Sequence, residues 1–365
     1  MRSHSAGGAA LTTIVLLAAV AQPVSAADQV SDGQWYHQFL STAQAHQHTE
    51  GAGVTVAVID SGVDATHADL AGSVLSGVDL TNEGPGDGHV DTDGHGTKMA
   101  SLIAGHGRVR GVAPAAKVLP IRAGVFEGAR GDHVIDGIKW AVAHGAGVIS
   151  ISLGGEGDPL ERQEVQTALA SDVVVVAGAG NRPEDTSVRF PAAYPGVLAV
   201  AAVGRNGEHA PVSVAGPQVV IAAPGVDISG AHPGGRYSVG SGTSDATAIA
   251  AGAVALIRAK FPQLKAAEVV RRLTATATDK GSPGRDPEYG YGVINLVGAL
   301  TADVPVGTEG PSKASGGAGP TNKPSTPDGP PLVLLLIFGA AAVALVVALI
   351  GFVVWARGRR RSAVP

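Results

Sequence analysis

Short apolar runs rich in Val and Ile recur along the chain at 54–60 (VTVAVID), 116–122 (AKVLPIR), 147–153 (GVISISL), 172–178 (DVVVVAG) and 197–203 (VLAVAAV). They are continuous rather than alternating, as expected of strands covered on both faces in a parallel sheet. Between them the period becomes helical. Residues 132–144 put Val134, Ile135, Ile138 and Val142 on one helical face. Residues 158–170 open as DPLE, with Asp158 as N-cap, Pro159 in the first turn and Glu161 placed to complete a capping box. Near the N-terminus Trp35, Phe39 and Ala43 share a helical face expected to pack on the folded unit. This alternation predicts an α/β fold, doubly wound, with a mostly parallel central sheet and helices on both faces. Such sheets carry their sites at the carboxyl ends of the strands.

Two apolar stretches lie outside this pattern. Ala9–Val20 follows Arg2 and His4 and precedes the small residues Val24-Ser25-Ala26, so residues 1–26 read as a cleaved export signal. Leu332–Val354 is free of charge. It exceeds the ~20 helical residues that cross a ~30 Å bilayer core. Trp355 and Arg357, Arg359, Arg360 and Arg361 follow, a basic tail (355–365) of the kind kept cytoplasmic. Residues 301–331 are rich in Pro, Gly, Ser and Thr and read as an extended tether. The expectation is a single-pass cell-membrane protein with one folded unit, residues 27–300, outside.

Composition narrows the chemistry. The chain has no Cys, which excludes disulfides, thiolate metal sites and a cysteine nucleophile. Setting aside Arg2 and the tail arginines leaves 21 basic against 31 acidic residues, a net charge of −10 for the exterior part. A nucleic-acid partner is not expected, since it would need a basic face.

Asp60 closes the first strong strand and is followed by Ser61-Gly62. A dinucleotide site would want its glycines after that strand, whereas GAG precedes it. His95 stands in DTDGHGTKMASLIAG, with glycine on either side and a small-residue helix behind. No second His follows four residues on, as a zinc motif would require. Asp87, Asp91 and Asp93 are read as solvated loop acids rather than a calcium loop, and His67, His89, His106, His133 and His144 as surface or loop residues. Ser244 opens an apolar helix after Gly240-Ser241-Gly242-Thr243. Asp, His and Ser are the parts of a nucleophilic hydroxyl system.

AVIDSGVDATHADL, DGHGTKMASLIAG and GSGTSDATA resemble the three signature blocks of subtilisin-like serine proteases, in the order Asp, His, Ser. The resemblance implies a subtilisin-like fold and hydrolysis of a peptide or protein substrate without a cofactor. It makes Asp60 the orienting acid, His95 the general base and Ser244 the nucleophile. AGAGN makes Asn181 the side-chain donor of the oxyanion hole, beside the Ser244 backbone N–H. SLGG implies an edge (Ser152, Leu153, Gly154) that pairs with extended substrate and, with Gly178 and Gly180, walls a roomy first specificity pocket. RFPAAYP implies a cis bond before Pro191. The chain departs from the family at Lys98, Asp245, Ala248 and Ile249. Asp245 is either a first-turn acid pointing away from the site or a charge that opposes the oxyanion. The second view expects Asp245→Asn to raise kcat.

The order of signal, protease domain, Pro-rich tether, apolar span and basic tail resembles the mycosins, membrane-anchored subtilases of type VII secretion. That implies a secretion membrane complex as partner. It leaves two functional classes, an active endopeptidase or a weakly active scaffold stabilising such a complex. About 25 residues precede the first block after the signal, too few for a folded inhibitory propeptide.

Overall fold

Each of the five apolar runs becomes a strand of one sheet in the computed structural model, which describes residues 26–124 and 131–305. These strands are β1 (Thr55–Asp60), β3 (Lys117–Arg122), β4 (Val148–Ile151), β5 (Val174–Gly178) and β6 (Leu198–Val203). Two short strands, β2 (Val78–Asp79) and β7 (Ile221–Pro224), extend its edges to the order β2-β3-β1-β4-β5-β6-β7, with every neighbour parallel. The strand order reverses at β1, whose neighbours are β3 and β4. A crevice at such a switch point is where open α/β sheets bind ligands.

Both faces of the sheet are buried, which is why the strands read as unbroken apolar runs. Val56 and Val58 of β1, with Val148, Val174, Val176 and Val200, pack on one side. Ala57 and Ile59, with Ile121, Ile149, Ile151 and Val175, pack on the other. The first side is covered by α4 (His95–Ala104) and α7 (Thr243–Lys260), the second by α5 (Gly131–Ala143) and α6 (Pro159–Ala170). Residues 243–257 of α7 are all buried, so its small side chains serve close packing all round. Helices α8 (Ala266–Ala275) and α9 (Leu296–Thr301) complete that side. An antiparallel hairpin, β8 (Ile228–His232) and β9 (Arg236–Gly240), lies over α4.

The capping box before α6 takes an altered form. Asp158 accepts from the N–H groups of Leu160 (2.7 Å) and Glu161 (3.2 Å). Glu161 does not reach back to the Asp158 N–H. The Tyr194 hydroxyl sits between them, accepting from Asp158 N (2.8 Å) and donating to Glu161 Oε2 (3.0 Å).

The N-terminal segment packs on the domain, but through a different face. It is broken into α1 (Ala26–Asp32), α2 (Tyr36–Phe39) and α3 (Thr42–Ala45), with Ser41 in the left-handed region (φ 53°). The break turns Ala43 outward and buries Tyr36, Leu40 and Ala45, while Trp35 and Phe39 pack at the core's margin.

The single-pass membrane location is corrected. Among the described residues no helix is long and apolar enough to cross a membrane. The longest, α7, is packed inside the domain. The stretch 332–354, together with residues 1–25 and the tether beyond 305, lies outside the described residues.

Candidate active site

The switch point gathers residues from distant parts of the chain. Asp60 ends β1 and is almost fully buried (1% exposed). Its Oδ1 lies 2.7 Å from His95 Nδ1 and also accepts the Ser61 N–H at 2.8 Å. His95 starts α4, after Gly94 in a left-handed conformation (φ 94°). Glycine is required after the ring too: a Cβ on Gly96 would stand 2.1 Å from the Gly62 carbonyl oxygen. The close approach of α4 to the end of β1 therefore depends on Gly96.

Asp91 holds this junction together, a role its sequence context did not reveal. It is buried, not solvated. Its Oδ1 accepts from Ser61 Oγ (2.9 Å), Gly94 N (2.7 Å) and Asp93 N (3.1 Å). Its Oδ2 accepts from Thr97 N (2.9 Å) and Thr97 Oγ1 (2.5 Å). Ser61 Oγ in turn accepts the Gly96 N–H at 2.9 Å. Asp91 thus takes the Gly94 and Thr97 donors directly and, through Ser61, ties the Gly96 donor to the residue after Asp60. Asp93 stays exposed and accepts the His95 N–H at 3.1 Å. His67, expected at the surface or in a loop, lies in a loop but is buried, with Nε2 3.1 Å from the Arg236 carbonyl.

Burial works against a charged His95 ring. The Asp60 carboxylate, by its charge and its hydrogen bond, and Asp245 together outweigh that penalty and hold the imidazole above its usual 6.5, with Lys98 pulling the other way.

Ser244 lies in the first turn of α7, beneath Gly242 as N-cap. Its Oγ donates to the Ser152 carbonyl at 3.4 Å, and Ser152 Oγ donates to the Ser244 carbonyl at 3.3 Å. Helices α4 and α7 pack against each other, and Lys98 and Asp245 in their first turns lie 2.6 Å apart, so the two helix starts meet. The free N–H groups and dipole at the head of α7 favour negative charge there. Asn181 follows β5. Its Oδ1 accepts from Thr243 N (2.9 Å) and Thr243 Oγ1 (3.1 Å), which fixes the amide and leaves Nδ2 as a donor.

A cavity beside Ser244 is lined by Ser152, Leu153, Gly154, Gly178, Gly180 and Asn181, all residues singled out in the sequence. Glu184 and Asp185 also line it, and no motif marked them. The glycines serve close packing as much as room. A Cβ on Gly178 would meet Thr243 Oγ1 at 2.9 Å, and one on Gly180 would meet Arg189 Cγ at 2.9 Å. Arg189 pairs with Asp185 at 3.2 Å. The Phe190–Pro191 bond is cis, as the resemblance implied, and so is Arg182–Pro183.

Asp245 neither points away nor stands as a lone charge. It is buried, and its Oδ1 lies 2.6 Å from Lys98 Nζ. Burial pushes its carboxyl up, against the pull of Lys98 and of His95. Lys98 and Asp245, two departures from the family pattern that lie far apart in the sequence, are thus partners in the fold.

Residues 51–292 match the model of the Subtilase family (Peptidase S8). Subtilisin DY of Bacillus licheniformis is 38% identical over 263 residues, covering 69% of this chain and 93% of its own length. The thermostable alkaline protease of Halalkalibacterium halodurans is 36% identical over 267 residues, 72% of each chain. Among solved structures, MycP1 with its N-terminal propeptide removed superposes with a TM-score of 0.68 at 30% identity, covering 75% of this chain and 98% of that one. The MycP3 protease from the type VII (ESX-3) secretion system gives 0.64 at 32% identity, covering 74% and 88%. The chain belongs to the subtilase family and is a subtilisin-like serine endopeptidase.

Proposed function

We propose that Ser244, His95 and Asp60 form the catalytic triad, that Asn181 and the Ser244 N–H form the oxyanion hole, and that the chain acts as a mycosin-type protease in a type VII secretion system. The observation that supports the triad best is the 2.7 Å contact between buried Asp60 and His95, with the first turns of α4 and α7 joined by the 2.6 Å Lys98–Asp245 contact. In this reading Ser244 Oγ attacks the substrate carbonyl carbon while His95 Nε2 takes the hydroxyl proton. Asp60 holds Nδ1–H and steadies the imidazolium. The carbonyl oxygen becomes an oxyanion that accepts from Asn181 Nδ2 and the Ser244 N–H. His95 then passes its proton to the leaving amine as the C–N bond breaks, and water releases the acyl group by the same route. Ser152, Leu153 and Gly154 lie beside Ser244 where an extended peptide can pair with them, and Gly178 and Gly180 border the cavity that takes its side chain.

The secretion role is supported by the likeness to MycP1 and MycP3 over most of the length of those chains. A fluorophosphonate probe should label the purified protein, and Ser244→Ala should abolish both labelling and peptide hydrolysis. Labelling that survives Ser244→Ala would overturn the assignment. For the secretion role, an affinity-tagged chain expressed in its own host should co-purify with the secretion membrane complex. Recovery without any component of that complex would count against it.

A further inference from the structure

We propose that Lys98 and Asp245 are positioning residues for the catalytic base: a buried, mutually neutral pair that bridges the helix carrying His95 to the helix carrying Ser244. The inference rests on the assignment of His95 and Ser244 made above.

Lys98 follows His95 by three residues on α4, so the two side chains share a face. Asp245 follows Ser244 directly on α7. Their charged ends are 2.6 Å apart, with side chains 9% and 4% exposed. At that distance the Lys98 ammonium acts directly on the Asp245 carboxylate and favours its charged form. The β8–β9 hairpin seals the pair and is shaped to do so. A Cβ on Gly230 would stand 2.4 Å from Lys98 Cγ, and one on Gly240 would stand 2.8 Å from Lys98 Nζ. Ser101 Oγ of α4 accepts the Ala231 N–H at 2.9 Å and fixes the hairpin over the lysine.

A buried ion pair is a poor choice for stability alone, because well-packed apolar residues do as well or better in its place. The distinctive property of this one is its location. Both charges act on the His95 ring, in opposite senses: Asp245 favours the imidazolium and Lys98 disfavours it. Other charged or titratable groups at the head of α4 are Asp60 from β1, Asp91 and Asp93 on the preceding loop, and His232 of the hairpin, which lies against Gly94. Tyr36 of the N-terminal arm feels the charge of Asp245, and its hydroxyl donates to the Arg110 carbonyl at 2.8 Å. The acid next to the nucleophile is therefore matched by a fixed cation, and the pair's fields partly cancel at the base and at the nascent oxyanion. Removing only the acid would leave Lys98 unopposed beside a ring that must become positive in the transition state.

The test is a titration of the His95 ring by NMR on isotope-labelled full-length protein, with kcat/KM measured against pH on a peptide substrate. Asp245→Asn, which keeps the shape, should lower the His95 pKa by about 0.5 or more and kcat/KM by about tenfold. Lys98→Met combined with Asp245→Asn removes both charges. It should return the His95 pKa to within about 0.3 of the wild type and recover at least about threefold in kcat/KM. A purely structural bridge predicts that the double variant is at least as impaired as the single. That result, or an Asp245→Asn protein whose His95 pKa is unmoved or raised, would overturn the proposal. The titration reads His95 whether or not the protein turns over. Absence of hydrolysis with Ser244 unreactive to the probe would overturn the triad instead, leaving the pair to be judged on the ring's pKa.

Discussion

In the proposed triad the chemistry turns on His95, whose environment sets a pH dependence. Asp60 and Asp245 hold its pKa above 6.5 despite burial. A general base must be neutral, so activity is lost as pH falls through that raised pKa. The acid limb of kcat/KM against pH should lie above 6.5, and Asp60→Asn should move it down; a wild-type limb at or below 6.5 would contradict the assignment. Asn181→Ala should reduce kcat by about a hundredfold or more with little change in KM, a scale known from subtilisin itself. At Asp245 the contact with Lys98 changes the sign of the effect proposed for Asp245→Asn. A lone acid near an oxyanion would be relieved by Asp245→Asn, but an acid paired with Lys98 leaves a buried cation when removed. Lys98→Met alone orphans the acid and should cost roughly 3–5 kcal/mol in chemical denaturation, far more than the double variant.

At the scale of elements, the starts of α6 and α4 show buried and capping carboxylates taking up free helix donors. Asp158 caps α6 directly and Tyr194 closes the remaining donor and acceptor. Asp158→Ala should lower stability by about 1 kcal/mol, measured by urea unfolding. Tyr194→Phe should cost about 1–3 kcal/mol, because it strands the Asp158 N–H and the buried Glu161. If the two losses simply add in the double variant, the cap and the tyrosine act separately and the relayed box is not a unit. Asp91 performs the corresponding task for α4 from a loop position, where no capping spacing announces it.

At the scale of the whole molecule, the N-terminal segment clasps the domain. Trp35 Nε1 donates to the Val226 carbonyl at 2.9 Å, and the Gly33 carbonyl accepts Ser229 N–H at 3.0 Å. Tyr36 is fully buried, and Tyr36→Ala should destabilise by about 3–5 kcal/mol, read from denaturant midpoints. The half-buried His37 supplies a pH dependence. Burial first, with smaller effects of neighbouring His46 and Arg110 against its bond to the Arg110 carbonyl, lowers its pKa from 6.5 to about 4. Between these values the unfolded chain binds the proton and the folded one does not, so stability falls as pH is lowered from 6.5 toward 4. Urea midpoints at pH about 7 and 5 should differ less for His37→Gln than for the wild type.

The sequence by itself determined the five central strands of the sheet and the parts of the proposed site. Unbroken Val and Ile runs are readable because a two-sided core imposes them locally, and Asp60, His95, Ser244 and Asn181 are readable because each sits in a short contiguous block. Edge strand β2 and the β8–β9 hairpin were not legible, since two paired residues or a half-exposed ribbon leave no apolar run. Ala43 was misplaced because one left-handed residue, Ser41, resets the helical phase. Asp91, Lys98 and Asp245 were each visible as letters, and only the tertiary structure decided their meaning. Their partners lie on other elements, and a charge inside a protein is defined by what faces it across the packing.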